Sequence, residues 1–222
     1  MLCIHCEGLI DDAEAGRRIV LSIGLVMLQG ARHVHIAALS DAADELGIDI
    51  EIHELRKASD IEQAQPCAMV IPGGESTTMR LTGNAEISKL LPALFSWIRQ
   101  DEARPVLATC AGAILMAEPQ DGGEPLIDAQ VDRNAFGSQA DSFEAHLDCP
   151  LLGEGFPGVF IRAPRITSVG KKAEVAASLK GEAVGVRQGG RLALTFHPEL
   201  SGDIRFHAWL LKQAIEKEVV QV

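Results

Sequence analysis

The sequence predicts a three-layer α/β protein built on a mostly parallel central sheet with helices on both faces. Three observations carry this prediction. Continuous apolar runs alternate with amphipathic stretches through the first half of the chain, the pattern of successive βαβ units. Several of those runs stop abruptly at small or turn-forming residues. The second half changes to short apolar segments separated by Gly, Pro and charge, which predicts further strands, some pairing antiparallel at one edge of the same sheet.

The elements follow in order. Residues 1–18 are polar, acidic and aperiodic, and read as an N-terminal extension or poorly ordered arm; residues 19–222 then form one domain. IVLSIGLVML (19–28) is a β-branched run of the kind buried on both faces of a sheet, and Gln29-Gly30 breaks it. Residues 33–46 place Ile36, Leu39, Ala43 and Leu46 at helical spacing. IDIEIHEL (48–55) alternates as a strand, and CAMVI (67–71) is a third strand ending at Pro72-Gly73-Gly74. A helix starts near Ser76 or Thr77, either of which can cap it. Ile87, Leu90, Leu91, Leu94, Phe95 and Ile98 fit one buried stripe on a long helix over 84–100. PVLAT (105–109) is a fourth strand, turned by Cys110-Ala111-Gly112 into another helix. Segments 127–132, 142–147, 158–162, 173–178, 183–188 and 191–196 read as short strands. A closing helix (203–218) carries Ile204, Leu211 and Ile215.

Composition narrows the function. The chain has 222 residues, 47% hydrophobic and 23% charged, with a net charge of −11. That balance argues against a general nucleic-acid binder and against docking on anionic membranes. No apolar run reaches the roughly 18 residues needed to span a bilayer. The first 14 residues hold four acids and no basic start, so they do not read as a targeting signal, and a cytoplasmic location is expected. Five scattered cysteines are an odd number and do not suggest a disulfide framework. Cys3-Ile4-His5-Cys6 is half of a zinc-site pattern without a second half, so no metal is expected. Cys67, in a core strand, and Cys149, before a proline, read as structural.

Three stretches could carry chemistry. Ala108-Thr109-Cys110-Ala111-Gly112 puts a cysteine at a small-residue turn between strand and helix. This is the logic of a nucleophile elbow: the helix N-terminus lowers the thiol pKa and the NH of Ala111 faces a developing oxyanion. A buried structural cysteine is the alternative. Thr195-Phe196-His197-Pro198-Glu199 follows another apolar strand. His197 and Glu199, two apart, can face one side as a base and its orienting acceptor, unless they form an ordinary surface turn. In a parallel sheet both motifs can reach one carboxyl edge. Pro72-Gly73-Gly74-Glu75-Ser76-Thr77-Thr78 lets backbone NH groups approach a ligand, or is simply a tight turn. It lacks the Gly-Lys-Ser/Thr ending of a phosphate loop.

In this order and at these separations the three motifs resemble the class I, triad-type glutamine amidotransferases, most nearly the glutaminase subunits of pyridoxal 5′-phosphate synthases. Leu28-Gln29-Gly30-Ala31, Arg133-Asn134-Ala135-Phe136-Gly137, Phe160-Ile161-Arg162-Ala163-Pro164 and Phe196-His197-Pro198-Glu199-Leu200 extend the likeness over about residues 19–217. The resemblance implies a flavodoxin-like sheet and a Cys110, His197 and Glu199 triad. It implies Gly74 and Ala111 as oxyanion-hole donors, with Gly74, Glu75, Ser76, Arg133, Ile161 and Arg162 contacting glutamine. Gln29 would lie at the interface with a synthase subunit and take part in activation, by movement of the Gly73–Gly74 peptide. No cofactor is implied. Two positions depart from the family pattern: Ala108 stands where Gly is usual, and Ser138 where Arg is usual. The rival readings are a glutaminase serving another biosynthetic enzyme and a non-catalytic thiol sensor on a related fold.

Overall fold

The computed structural model describes residues 20–133, 142–153 and 155–220. In chain order it contains β1 (Val20–Val26), α1 (Arg32–Leu46), β2 (Asp49–Leu55), α2 (Ala58–Ala64), β3 (Ala68–Ile71), α3 (Ser76–Gly83) and α4 (Leu90–Arg99). There follow β4 (Val106–Thr109), α5 (Ala111–Ala117), β5 (Ala129–Asp132), β6 (Ser142–Leu147), β7 (Phe156–Ile161) and β8 (Arg165–Val169). The chain closes with β9 (Glu174–Leu179), β10 (Glu182–Gln188), β11 (Arg191–Leu194) and α6 (Arg205–Val220). Among the described residues no helix is long and apolar enough to cross a membrane. The expected N-terminal extension lies outside the described residues.

Seven strands form one sheet in the order β2-β1-β3-β4-β11-β10-β9. The first five pair in parallel, and β10 and β9 close the edge antiparallel. This is the mostly parallel, flavodoxin-like sheet that the sequence predicts. The parallel strands are nearly continuous apolar runs because both faces are covered. On one face Leu21, Ile23 and Leu25 pack with Leu39 of α1 and Phe206, Leu210 and Leu211 of α6. On the other, Met69, Ile71 and Val106 pack with Ile61 of α2, Leu94 and Ile98 of α4, and Leu115 of α5.

Four features differ from the sequence expectation. The helix expected over 84–100 is shorter: α3 ends at Gly83, residues 84–89 are mostly turns, and α4 starts only at Leu90. Between them Lys89 takes a left-handed conformation at the head of α4, and the Ser88 hydroxyl accepts from the Leu90 NH. Ile87, expected in the buried stripe, lies outside both helices and is 91% exposed. Its five partners in the stripe are buried as expected, each contributing about 2 kcal/mol. The residue capping α3 is Glu75 rather than Ser76 or Thr77: its carboxylate accepts from the NH groups of Thr77 and Thr78. Finally, not all the later strands join the main sheet. β5 pairs with β8, which the sequence reading missed, and β6 pairs with β7, as two separate antiparallel pairs.

Candidate active site

The three chemistry-bearing stretches meet because three neighbouring strands end together. β3, β4 and β11 are adjacent and parallel, with Ile71 opposite Ala108 and Leu194 opposite Thr109. The Gly73–Gly74 loop, Cys110 and His197 follow these strand ends directly. They border a cavity of about 370 Å³ at the carboxyl edge of the sheet, where ligands bind in open α/β sheets.

Cys110 sits on the turn from β4 into α5 with φ 49° and ψ −110°, a backbone region that L-residues with a Cβ avoid. Its NH donates to the Leu194 carbonyl at 2.8 Å, which ties the turn to β11. α5 can start this close to the sheet because Gly112 presents only hydrogen to the Ile71 carbonyl oxygen; a Cβ there would overlap it. The Cys110 side chain is 5% exposed, and its Sγ lies 3.9 Å from the Ile161 carbonyl oxygen. Ala108, the departure from the family pattern, is buried in β4 between Ile71 and Ala193.

His197 is held at both ends. Its backbone NH donates to Val159 of β7 at 2.8 Å, and the preceding Phe196 packs against Phe156, Phe160 and Phe206. Its Nδ1 lies 2.8 Å from Glu199 Oε1. Pro198–Leu200 form a short 3-10 turn that brings the carboxylate back under the ring. Gly73 separates the imidazole from the thiol: a Cβ on it would lie 2.7 Å from His197 Cε1 and 3.1 Å from Cys110 Cβ. Any side chain there would wedge the two apart.

The electrostatics follow from this packing. Burial alone would push the His197 pKa down, but its interactions with the Cys110 sulfur and the Glu199 carboxylate win and raise it to about 10. Burial likewise works against the Glu199 anion, and hydrogen bonding to His197 and His35 overcomes it, holding the carboxyl well below the usual range. Glu75 is lowered to about 2 by the two backbone NH groups and the Thr78 hydroxyl that its carboxylate accepts from. It is therefore a fixed negative charge at the cavity rim.

Gly74, Glu75, Ser76, Ala111, Arg133, Ile161 and Arg162 line the cavity beside Cys110, His197 and Glu199. Arg133 donates to Thr77 Oγ1 at 3.1 Å, and Arg162 has a positive φ of 46°. Gln29 does not line the cavity, but its Oε1 accepts from the Glu75 NH at 2.6 Å and so clamps the glycine loop from behind. Ser138 lies outside the described residues.

Two residues near the site escaped the sequence reading. His35 in α1 and His207 in α6 are completely buried behind Glu199. The available signal was spacing: His35 lies four before Leu39, and His207 three after Ile204 and four before Leu211. Both fall on the stripe that each helix turns inward.

Comparisons with known proteins agree on one family and one fold. The model of the SNO glutamine amidotransferase family matches residues 25–216. The chain is 40% identical over 207 residues to the pyridoxal 5′-phosphate synthase subunit PdxT of Shouchella clausii, covering 90% of this chain and 99% of that one. It is 39% identical to the PdxT of Thermococcus onnurineus, covering 88% and 100%. A crystal structure of a glutamine amidotransferase matches with a TM-score of 0.72 at 36% identity, over 87% of this chain and 98% of that one. A glutamine amidotransferase from Thermotoga maritima shares the fold, with a TM-score of 0.57 at 14% identity over 91% and 99%.

Proposed function

Because the chain belongs to the SNO glutamine amidotransferase family, we propose that it is the glutaminase subunit of a pyridoxal 5′-phosphate synthase. It hydrolyses L-glutamine to L-glutamate and ammonia in the cytoplasm and passes the ammonia to a synthase subunit. The observation that carries the reading is the meeting of Cys110, His197 and Glu199 in one cavity, with the cysteine on a strained strand-to-helix turn.

The chemistry follows from that arrangement. His197, whose pKa is raised to about 10, takes the thiol proton of Cys110, and the sulfur attacks the side-chain amide carbon of glutamine. The NH groups of Ala111 and Gly74 receive the oxyanion. His197 returns the proton to the departing nitrogen, and ammonia leaves. His197 then activates a water that hydrolyses the γ-glutamyl thioester, releasing glutamate and restoring the thiol. Glu199 keeps the His197 Nδ1–H pointed at itself, so that Nε2 faces the sulfur.

Glutamine brings an α-carboxylate and an α-ammonium. Arg133 and Arg162 hold the carboxylate with paired donors, and Glu75, Ser76 and Ile161 complete the pocket. The fixed negative charge of Glu75 favours the ammonium. Ammonia released into water at neutral pH would be protonated and lose its nucleophilicity, so a docked partner must receive it. Gln29 is suited to report docking: drawing its side chain away frees the Glu75 NH and with it the Gly73–Gly74 peptide.

Glutamate release by the full chain, alone and mixed with a pyridoxal 5′-phosphate synthase subunit, tests this. Turnover should rise at least tenfold on mixing and vanish in Cys110→Ala, and acivicin should label wild type once, at Cys110. Absence of both turnover and labelling in the mixture would overturn the assignment.

A further inference from the structure

Behind the proposed triad lies a second pair of polar side chains that the reaction above does not use. His35, on the first turn of α1, and His207, on the first turn of α6, are each 0% exposed. His35 Nδ1 lies 3.1 Å from His207 Nε2, with the rings tilted at 54°. His35 Nε2 faces Glu199 Oε1 at 3.4 Å. Neither imidazole borders the cavity. Burying a ring with two polar nitrogens is costly unless those nitrogens are matched, and here each matched nitrogen leads one step closer to Glu199.

We propose that His207 and His35 form a buried, charge-neutral chain of N–H donors that holds the Glu199 carboxylate in place, making both histidines positioning residues for His197. This rests on the reading of Glu199 as the partner of His197.

Counting protons gives the direction of the chain. A neutral imidazole has one N–H and one lone pair. His35 Nε2 must carry hydrogen, because a lone pair there would face a carboxylate. Its Nδ1 is then the acceptor, and His207 Nε2 donates to it. That leaves His207 Nδ1 as a bare lone pair, and it has no hydrogen-bond partner among the described residues; His35 Nε2, 3.4 Å from Glu199 Oε1, also falls outside hydrogen-bond geometry and faces the carboxylate through electrostatic attraction. The reverse arrangement, with a cationic His35, would bury an N–H at that same partnerless position. An orphaned donor there costs no less than an orphaned lone pair, and the cation adds the desolvation of a buried charge, so the neutral arrangement is the cheaper one.

The surroundings fit the assignment. Complete burial pushes His207 down to about 3, so it stays neutral. The titratable group that faces the pair is Glu199, which is bound in turn to His197, and His197 to Cys110. The contact from His35 is also long for a hydrogen bond, and Glu199 Oε2 has no protein partner. The carboxylate is therefore steered by two imidazole N–H groups converging on Oε1, from His197 and from His35, rather than by a saturated cage.

Two measurements on the full chain test this. In wild type labelled with ¹⁵N-histidine, long-range proton–nitrogen spectra from about pH 5.5 to about pH 8.5 should show His35 and His207 as neutral Nε2–H tautomers throughout. An Nδ1–H tautomer at either residue, or a charged His35 across that range, overturns the chain. The second measurement is glutaminase kinetics with the synthase subunit. His35→Leu should lower kcat about tenfold with KM within about twofold, because a Glu199 no longer steered from behind holds His197 less well. His35→Gln, which keeps a donor, should recover most of that loss. Equal losses in kcat in the two variants, or a loss that falls on KM instead, would make His35 a packing residue and sink the proposal. If His35→Leu does not fold, the tautomers in wild type decide alone. A wild type inactive with the synthase and unlabelled by acivicin would instead sink the glutaminase reading, and the tautomers would still be readable.

Discussion

At Cys110 the backbone adopts a conformation that glycine tolerates and cysteine resists. The strain is relieved when the Cβ is removed, so Cys110→Gly should melt above Cys110→Ala, the reverse of the usual order for these residues. Relief of about 1 kcal/mol would separate the two by roughly 2–4 °C in a chain of this size, and calorimetry on the two inactive variants measures it. At the neighbouring carboxylate, Glu199→Gln keeps the shape but no longer requires Nδ1–H on His197. The loss in kcat should be on the order of 10²-fold or more, with KM little changed. The same pair sets a pH dependence. His197 is raised from 6.5 to about 10, so the stability it lends is complete below about 6.5 and is lost as pH rises through about 10. Glu199 is lowered from 4.5, so its share is complete above about 4.5 and is lost as pH falls through the depressed value. Melting temperature should therefore plateau between these limits and fall on the alkaline side, and Glu199→Gln should flatten that alkaline fall. Cys110, His197 and Glu199 could be singled out in the sequence because each sits just past an apolar strand. His35 and His207 could not, because a polar residue on the inner stripe of a helix looks the same whether it serves a site or merely fills a gap.

At the scale of elements, the site depends on how closely α5 approaches the sheet. Gly112→Ala would drive a methyl into the Ile71 carbonyl oxygen, and the helix must retreat. The variant should lose about 1–3 kcal/mol of stability and most of its glutaminase turnover, read by denaturant melts and by glutamate release. Apolar runs made β1, β3, β4 and β11 legible, while their order across the sheet, β1-β3-β4-β11, is set by tertiary pairing that no single run encodes. Short or interrupted elements were not legible. α2 has seven residues and one buried side chain, Ile61, and is fixed by the Asp60 carboxylate accepting from the NH groups of Arg56 and Lys57. The helix expected over 84–100 starts six residues late, at Leu90, since side-chain periodicity does not register the left-handed Lys89 or the Ser88 hydroxyl at the head of α4.

For the whole molecule, the sheet order explains why residues 87 positions apart can work together. β4 and β11 are hydrogen-bonded neighbours, so the strand ends bearing Cys110 and His197 are fixed by one ladder, whatever path the chain takes between them. That path runs through the two small strand pairs and out to β9 at the sheet edge. The hairpin at Lys180–Gly181 is exposed, and a Cβ on Gly181 meets nothing within 4 Å. A short Gly-Ser insertion there should leave glutamate release within about twofold of wild type. That exposed tip, unlike the stretch carrying Arg133, Ile161 and Arg162, is free to be remodelled by evolution or by design: new surface for a different recipient of ammonia could be grafted there while the amide-cleaving machinery stays in tune.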